Sequence, residues 1–281
     1  MLLSRRTLLI LALATVVLGA SFFAIGLRNA SADPIVRRAE VAVADWPVGE
    51  PPLEVLFIAD LHVAGPDTPP ERLRAVFERL NALEADLVLV GGDLVSDKLL
   101  STRWYSADEI AAPLAVLDAP LGTIVVPGNH DYWVGIEGFD QALAALNIPF
   151  LKNTAVRRGP LNVAVLDDHR TGNADIPATV AALDRLGDGP AVLLTHDPDA
   201  VPDLPRTFSA IFAGHTHCGQ IVLPVIGAFG YASNYGDRFA CGDIRDGEQR
   251  VFVTAGLGTS ILPLRFGAPP DVWLVTFGPE R

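Results

Sequence analysis

A chain of 281 residues, half of them hydrophobic, can hold one large domain or two modest ones around a sizeable core. Its formal net charge is −12, and setting aside residues 1–32, which carry three arginines and no acid, takes it to −15. That argues against nucleic acid as a partner, since the phosphate backbone needs a basic face; a small phosphate ester stays open if divalent cations invert the local field.

Residues 1–32 read as a targeting or anchoring segment. Leu8 to Leu27 contains no charge and is about long enough to cross a bilayer, for which roughly 20 residues suffice. The stretch Ser4-Arg5-Arg6-Thr7-Leu8-Leu9 resembles the twin-arginine export motif, with Leu8 where phenylalanine is commonest. A buried core helix is the alternative; the terminal position, paired arginines and uniform apolarity speak against it. Ala30-Ser31-Ala32 has the small-x-small pattern of a cleavage site. The apolar run exceeds the ~7–15 residues of a cleaved signal, so we read a retained anchor. Arg5 and Arg6 on one side compete with Arg28, Arg37 and Arg38 on the other, so basic residues alone do not orient it. The twin-arginine resemblance implies an inner-membrane protein with an exported, periplasmic domain.

Residues 33–52 read as a linker, with Pro34, Pro47, Pro51 and Pro52 resisting regular structure. Residues 53–281 read as one domain. It begins with the apolar strand Val55–Ala59, followed by Thr68-Pro69-Pro70-Glu71, which has the spacing of a capping box. Leu73, Val76, Phe77 and Leu80 then take helical spacing. The unit repeats: strand Leu87–Val90 ends in Gly91-Gly92-Asp93, and a helix is expected from Glu109 to Leu117. Strand Thr123–Val126 ends in Pro127-Gly128-Asn129-His130, and a helix follows over Phe139–Leu146. Further strands are expected at 161–166, 191–195, 209–213, 220–223, 251–255 and 271–276, with a helix near 178–186. A βαβα half followed by a strand-rich quarter predicts an α/β protein with two packed sheets flanked by helices.

Five of the six histidines sit in short motifs that close these apolar runs. They are Asp60-Leu61-His62, Gly128-Asn129-His130-Asp131, Thr195-His196 and Gly214-His215-Thr216-His217, and Gly91-Gly92-Asp93 belongs to the same series. Singly, most are weak: an aspartate after glycines can cap a helix, and a lone histidine is commonly a core or surface residue. Five in this order, each at a strand end where α/β sheets gather ligands, point to a two-metal centre acting on phosphate.

With these motifs the chain resembles the calcineurin-like metallophosphoesterases over about residues 54–277. The likeness extends to the membrane-anchored or exported bacterial branch through Gly214-His215-Thr216-His217-Cys218-Gly219-Gln220, Gly256-Leu257-Gly258-Thr259-Ser260 and Pro263-Leu264-Arg265-Phe266. The resemblance implies a four-layer αββα sandwich that hydrolyses a phosphate ester or anhydride. Asp60, His62, Asp93 and His217 would hold one cation, and Asp93, Asn129, His196 and His215 the other, with Asp93 shared. Mixed nitrogen and oxygen ligands suit Mn²⁺, Fe or Zn²⁺ better than Mg²⁺ or Ca²⁺. His130 is then the catalytic residue, protonating the leaving oxygen or steadying charge on phosphate.

Two positions depart from the family pattern. Cys218 stands where glycine is usual, as a bystander, a disulfide partner of Cys241 or an extra ligand. Ser96 stands where many relatives carry the aspartate that orients the catalytic histidine, leaving Asp97 or Asp131 for that task. Arg265 is assigned to substrate phosphate, with a plain surface charge as the alternative. Trp104, Tyr105, Tyr132 and Trp133 line a cleft or pack as core; His169 is read as peripheral.

The substrate expected is a phosphate ester or pyrophosphate of a lipid or lipid-linked sugar. The alternatives are a UDP-2,3-diacylglucosamine pyrophosphatase of the lipid A route at the cytoplasmic face, or a catalytically silent metal-binding protein. A soluble cyclic-nucleotide phosphodiesterase fits poorly with the N-terminal segment.

Overall fold

The computed structural model describes residues 4–280. Along the chain run α1 (Arg5–Ala30), β1 (Ile35–Val43), β2 (Leu53–Ile58), α2 (Pro70–Leu80) and β3 (Leu87–Val90). Next come α3 (Ala107–Ala111), β4 (Thr123–Val125), α4 (Asn129–Val134), α5 (Phe139–Ala145), β5 (Thr154–Arg158) and β6 (Leu161–Val165). Then follow α6 (Ile176–Asp184), β7 (Ala191–Leu194), β8 (Ala210–Ala213), β9 (Val222–Leu223) and β10 (Gly227–Ala228). β11 (Gly242–Asp246), β12 (Gln249–Val253) and β13 (Asp271–Pro279) complete the chain.

Two sheets face each other, one ordered β1-β13-β2-β3-β4 and the other β11-β12-β8-β7-β6-β5; β9 and β10 form a separate hairpin. The strands nearest the centre are buried on both faces, which is why they read as unbroken apolar runs. In β2, Val55 and Phe57 point between the sheets, where Phe57 meets Phe212 at a ring separation of 5.2 Å. Leu56 and Ile58 point the other way, onto Leu73, Val76 and Phe77 of α2 and Phe139 of α5. The second sheet repeats the pattern, with Leu193 and Ile211 packed outward near Leu183 of α6 and Phe208. Helix, sheet, sheet and helix make the four layers expected.

Several local expectations need correction. Residues 35–43 are not linker: they form β1, parallel to β13 over nine residue pairs, with Val41, Val43 and Trp46 buried between the sheets. Pro34 and Pro47 bound this strand rather than interrupt it, so it keeps its hydrogen bonds. The capping box at Thr68 does not form; Pro69 is the N-cap of α2 without a side-chain bond, and Thr68 pairs with Ala64 and Asp67. A reciprocal box does open α3, between Ser106 and Glu109. Pro113 then cuts the expected 109–117 helix short, leaving five α-helical residues and a 3₁₀ turn over Ala112–Val116. The edge strands β5 and β11 are half-exposed and polar, and carry no apolar run to announce them.

Candidate metal centre

Each motif follows a strand: Asp60 and His62 after β2, Asp93 after β3, Asn129 after β4, His196 after β7, His215 and His217 after β8. Within each sheet these strands run parallel, so their carboxyl ends deliver the motifs to one rim. The turns are sharp. Asp60, His62, Asp93, His215 and His217 all have φ between 41° and 69°, the left-handed region that non-glycine residues enter rarely and mostly at functional sites. Backbone bonds hold them there: Asp60 N–H donates to Gly92, His62 N–H to the Asp93 carbonyl, and His215 N–H to the Asp60 carboxylate. A Cβ on Gly128 would lie 2.3 Å from Asp93 Oδ1, and one on Gly214 would lie 2.4 Å from Asp60 Oδ2, so both must be glycine.

The seven side chains converge in a buried cluster. Asp93 Oδ2 lies 3.3 Å from His62 Nε2 and 3.2 Å from His196 Nε2, so one carboxylate oxygen serves both sides. On the first side His217 Nε2 is 3.0 Å from His62 Nε2 and 3.6 Å from Asp60 Oδ1. On the second, His196 Nε2 is 3.1 Å from Asn129 Oδ1 and 3.3 Å from His215 Nδ1. On the second side the outward nitrogens are fixed by carbonyls. His196 Nδ1–H donates to Gly91 at 2.7 Å and His215 Nε2–H to Ala232 at 3.1 Å, which turns His196 Nε2 and His215 Nδ1 toward the centre.

These residues fit cations. Burial pushes His62 and His217 well below the usual imidazole range and His215 down to about 3, so all three are neutral. Burial, with Asp93 nearby, raises Asp60 to about 7, the mark of a carboxylate short of positive charge. Burial also opposes charge on His196, but Asp93 outweighs it and raises His196 well above its usual value. His62 Nε2 and His217 Nε2 confront each other without a proton to share once both are ligands, and the buried Asn129 Nδ2 has no partner. A divalent ion between the facing imidazole nitrogens would relieve the first condition; the Asn129 amide is a donor and calls for an acceptor instead.

His130 stands at the edge. Its backbone N–H donates to Asp93 Oδ1 at 2.8 Å, and its Nε2 lies 4.0 Å from Asp93 Oδ2, against 3.2–3.3 Å for His196 and His62. His62, Asp93 and His130 lie close enough to be read as a ligand group, but that longer gap sets His130 apart. Its Nδ1 is 2.8 Å from Asp97 Oδ1, though without the alignment of a hydrogen bond, and Nε2 is 3.4 Å from Ser260 Oγ. Asp131 is engaged elsewhere, accepting from the N–H groups of Gly128, Leu94 and Val95. Asp97 is therefore the acid beside the histidine.

The calcineurin-like phosphoesterase family model matches residues 53–219, more than half the chain. The chain belongs to that family. An uncharacterized metallophosphoesterase of Helicobacter pylori is 29% identical over 82% of this chain and 60% of its own length. A transmembrane protein with metallophosphoesterase domain from Danio rerio is 28% identical over 88% of this chain and 58% of its own length. Phosphodiesterase YaeI of Escherichia coli is 29% identical, covering 80% of this chain and 82% of that protein. The chain thus spans about three fifths of the first two relatives.

Arg265 does not face substrate in this phosphoesterase. It is fully buried, and its guanidinium donates to the carbonyls of Ala255, Gly256, Gly258 and Ala268, with Nη2 3.4 Å from His217 Nδ1. Buried beneath these carbonyls and absent from the lining of the cleft, Arg265 braces the 255–258 loop instead. Cys218 is neither bystander nor ligand: it is bonded to Cys241.

A cleft of about 430 Å³ opens on the centre, lined by Asn129, His130, His215 and His217 together with Trp133, Phe229, Tyr231 and Ser260. Among the described residues, Arg170 brings a fixed positive charge to its wall, and nothing in the sequence singled it out. Arg170 follows Asp167-Asp168-His169 at another strand end; His169 itself is half-buried and joins no ligand group. Trp133 lines the cleft, whereas Tyr132 is tied to Asp167 through its hydroxyl and Trp104 is exposed. Tyr105 lies under the Arg103 guanidinium, away from the lining.

Proposed function

We propose that the chain is a binuclear phosphoesterase, anchored by α1, that cleaves a phosphate ester or pyrophosphate of a lipid or lipid-linked sugar. The observation that carries this is Asp93 Oδ2 midway between His62 Nε2 and His196 Nε2. Two cations of the Mn²⁺, Fe or Zn²⁺ kind would supply, when bound, an acidified water and charge to offset the phosphate oxygens. Asp60, His62, Asp93 and His217 would hold one, and Asp93, Asn129, His196 and His215 the other. His130, at the cleft side of the cluster, gives a proton to the departing oxygen, and Asp97 holds its ring. Arg170 at the mouth attracts the anionic substrate, while Trp133 and Phe229 receive its apolar part. Metal analysis after reconstitution with Mn²⁺ is expected to find two ions and metal-dependent hydrolysis of an aryl phosphodiester or monoester. None or one ion per chain refutes the binuclear reading.

The domain is proposed to lie on the periplasmic side of the inner membrane, carried there by the Arg5-Arg6 motif. Arg5→Lys with Arg6→Lys is expected to leave the domain on the cytoplasmic side, read by a fused reporter active only after export. An unchanged reporter signal removes the twin-arginine claim. Protection of the wild-type domain from external protease in spheroplasts would instead favour a cytoplasmic-face enzyme acting on a UDP-linked lipid.

A further inference from the structure

α1 has the length and composition of a membrane span, and its first seventeen residues are all exposed. Its last turns do. Phe22 stacks on Phe266 at 4.2 Å between ring centres, Gly26 lies against Phe266 and Leu264, and Arg265 N–H donates to the Gly26 carbonyl. The uncharged segment Leu8–Leu27 is about 30 Å long at 1.5 Å per residue, matching the hydrocarbon thickness. Phe22 and Gly26 fall inside that segment. Either apolar helix must be pulled out into water, or the loop that grips it must sit in the bilayer boundary.

The surface beside the grip is apolar. Phe266 N–H donates to Gln220, Val222 N–H donates to Phe266, and Gln220 in turn binds Ser260 and Leu262, so the 260–266 loop and the β9–β10 hairpin form one unit. From this unit Ile261, Val225, Ile226 and Phe229 project with exposures of 62, 107, 68 and 74%. Leu99, whose N–H donates to Ile261, is 76% exposed, and Trp133 and Ile261 both line the cleft. Val225 and Ile261 also have φ of 70° and 59°, a conformation that β-branched side chains enter only at a cost. Glycine or asparagine would relieve that strain in water; valine and isoleucine gain only if the tips are covered.

We infer that the rim of the catalytic cleft, led by Val225, Ile226 and Ile261, dips into the bilayer that α1 crosses, so that the cleft opens onto the lipid surface. The partner is the membrane itself, because the rim adjoins the point where the span leaves the domain. The inference rests on α1 lying in a bilayer and not on hydrolysis, so it and the phosphoesterase reading fail by separate results.

The test uses the full chain in vesicles of phosphatidylethanolamine and phosphatidylglycerol with brominated acyl chains. Val225→Trp adds a fluorophore at the hairpin tip. Val48→Trp adds one at a fully exposed site before β2, at the opposite end of that strand from Asp60. Subtracting wild-type emission isolates each. Emission from position 225 is expected to fall at least twofold relative to unbrominated vesicles and to shift blue, and that from position 48 to stay unchanged. A far-ultraviolet circular dichroism spectrum and a melting midpoint matching wild type show that the Val225→Trp variant is folded. Equal quenching at both positions, no quenching at position 225, or a chain washed off by carbonate overturns the proposal.

Discussion

Asp93→Asn is expected to lose both metal ions together and to bring hydrolysis to background. The substitution keeps shape and keeps an Oδ1 to accept from His130 N–H. It removes the charge from a side chain whose second oxygen lies 3.3 and 3.2 Å from imidazole nitrogens on both sides. Loss of a supporting hydrogen bond around a metal costs roughly 10–100-fold in affinity, and loss of a shared charged ligand should exceed that at each site. Metal content after gel filtration checks it, with circular dichroism to show a retained fold. A variant that keeps one ion at wild-type affinity would show that Asp93 belongs to one site only.

His130→Ala should separate chemistry from metal binding. Both ions are expected to stay, because His130 Nε2 stands back at 4.0 Å from Asp93. Turnover should fall about 10²–10⁴-fold, the usual worth of a general acid. The loss should shrink with an aryl ester whose leaving group needs no proton. Loss of a metal in this variant would place His130 among the ligands and defeat its assignment.

Much of this architecture is legible in the sequence for a physical reason. Strands buried on both faces, such as Val55–Ile58 and Leu87–Val90, must be apolar throughout, and each ends abruptly in aspartate, asparagine or histidine. The seven residues picked from those ends meet in one cluster. Edges are harder. β1 alternates Val36, Arg38, Glu40 with Val41 and Val43 because only part of it faces the core, and a polar alternation beside prolines resembles a linker. Arg265 is hidden for another reason: its acceptors are backbone carbonyls, which have no letter in the sequence. Its apolar neighbours Leu264 and Phe266 were the available hint of burial. Arg170 had none, being one exposed arginine after two aspartates. The Cys218–Cys241 pair was likewise open, since two cysteines 23 residues apart do not declare whether they meet.

The pairing of β1 with β13 joins the first strand of the domain to the last, Ile35 to Asp271 and Val43 to Pro279. Contacts so distant along a chain form late, after a large loop-closure cost has been met. The first sheet therefore cannot close before Asp271–Pro279 has emerged from the ribosome. Whatever machinery handles this protein during synthesis meets an open sheet with β2 uncovered on the side that β13 will occupy. The export route proposed above, which carries finished domains, would have to wait until β13 is available to pair. Truncation of even the last strand should consequently leave a chain that is made, targeted and then degraded rather than one that is folded and merely inactive.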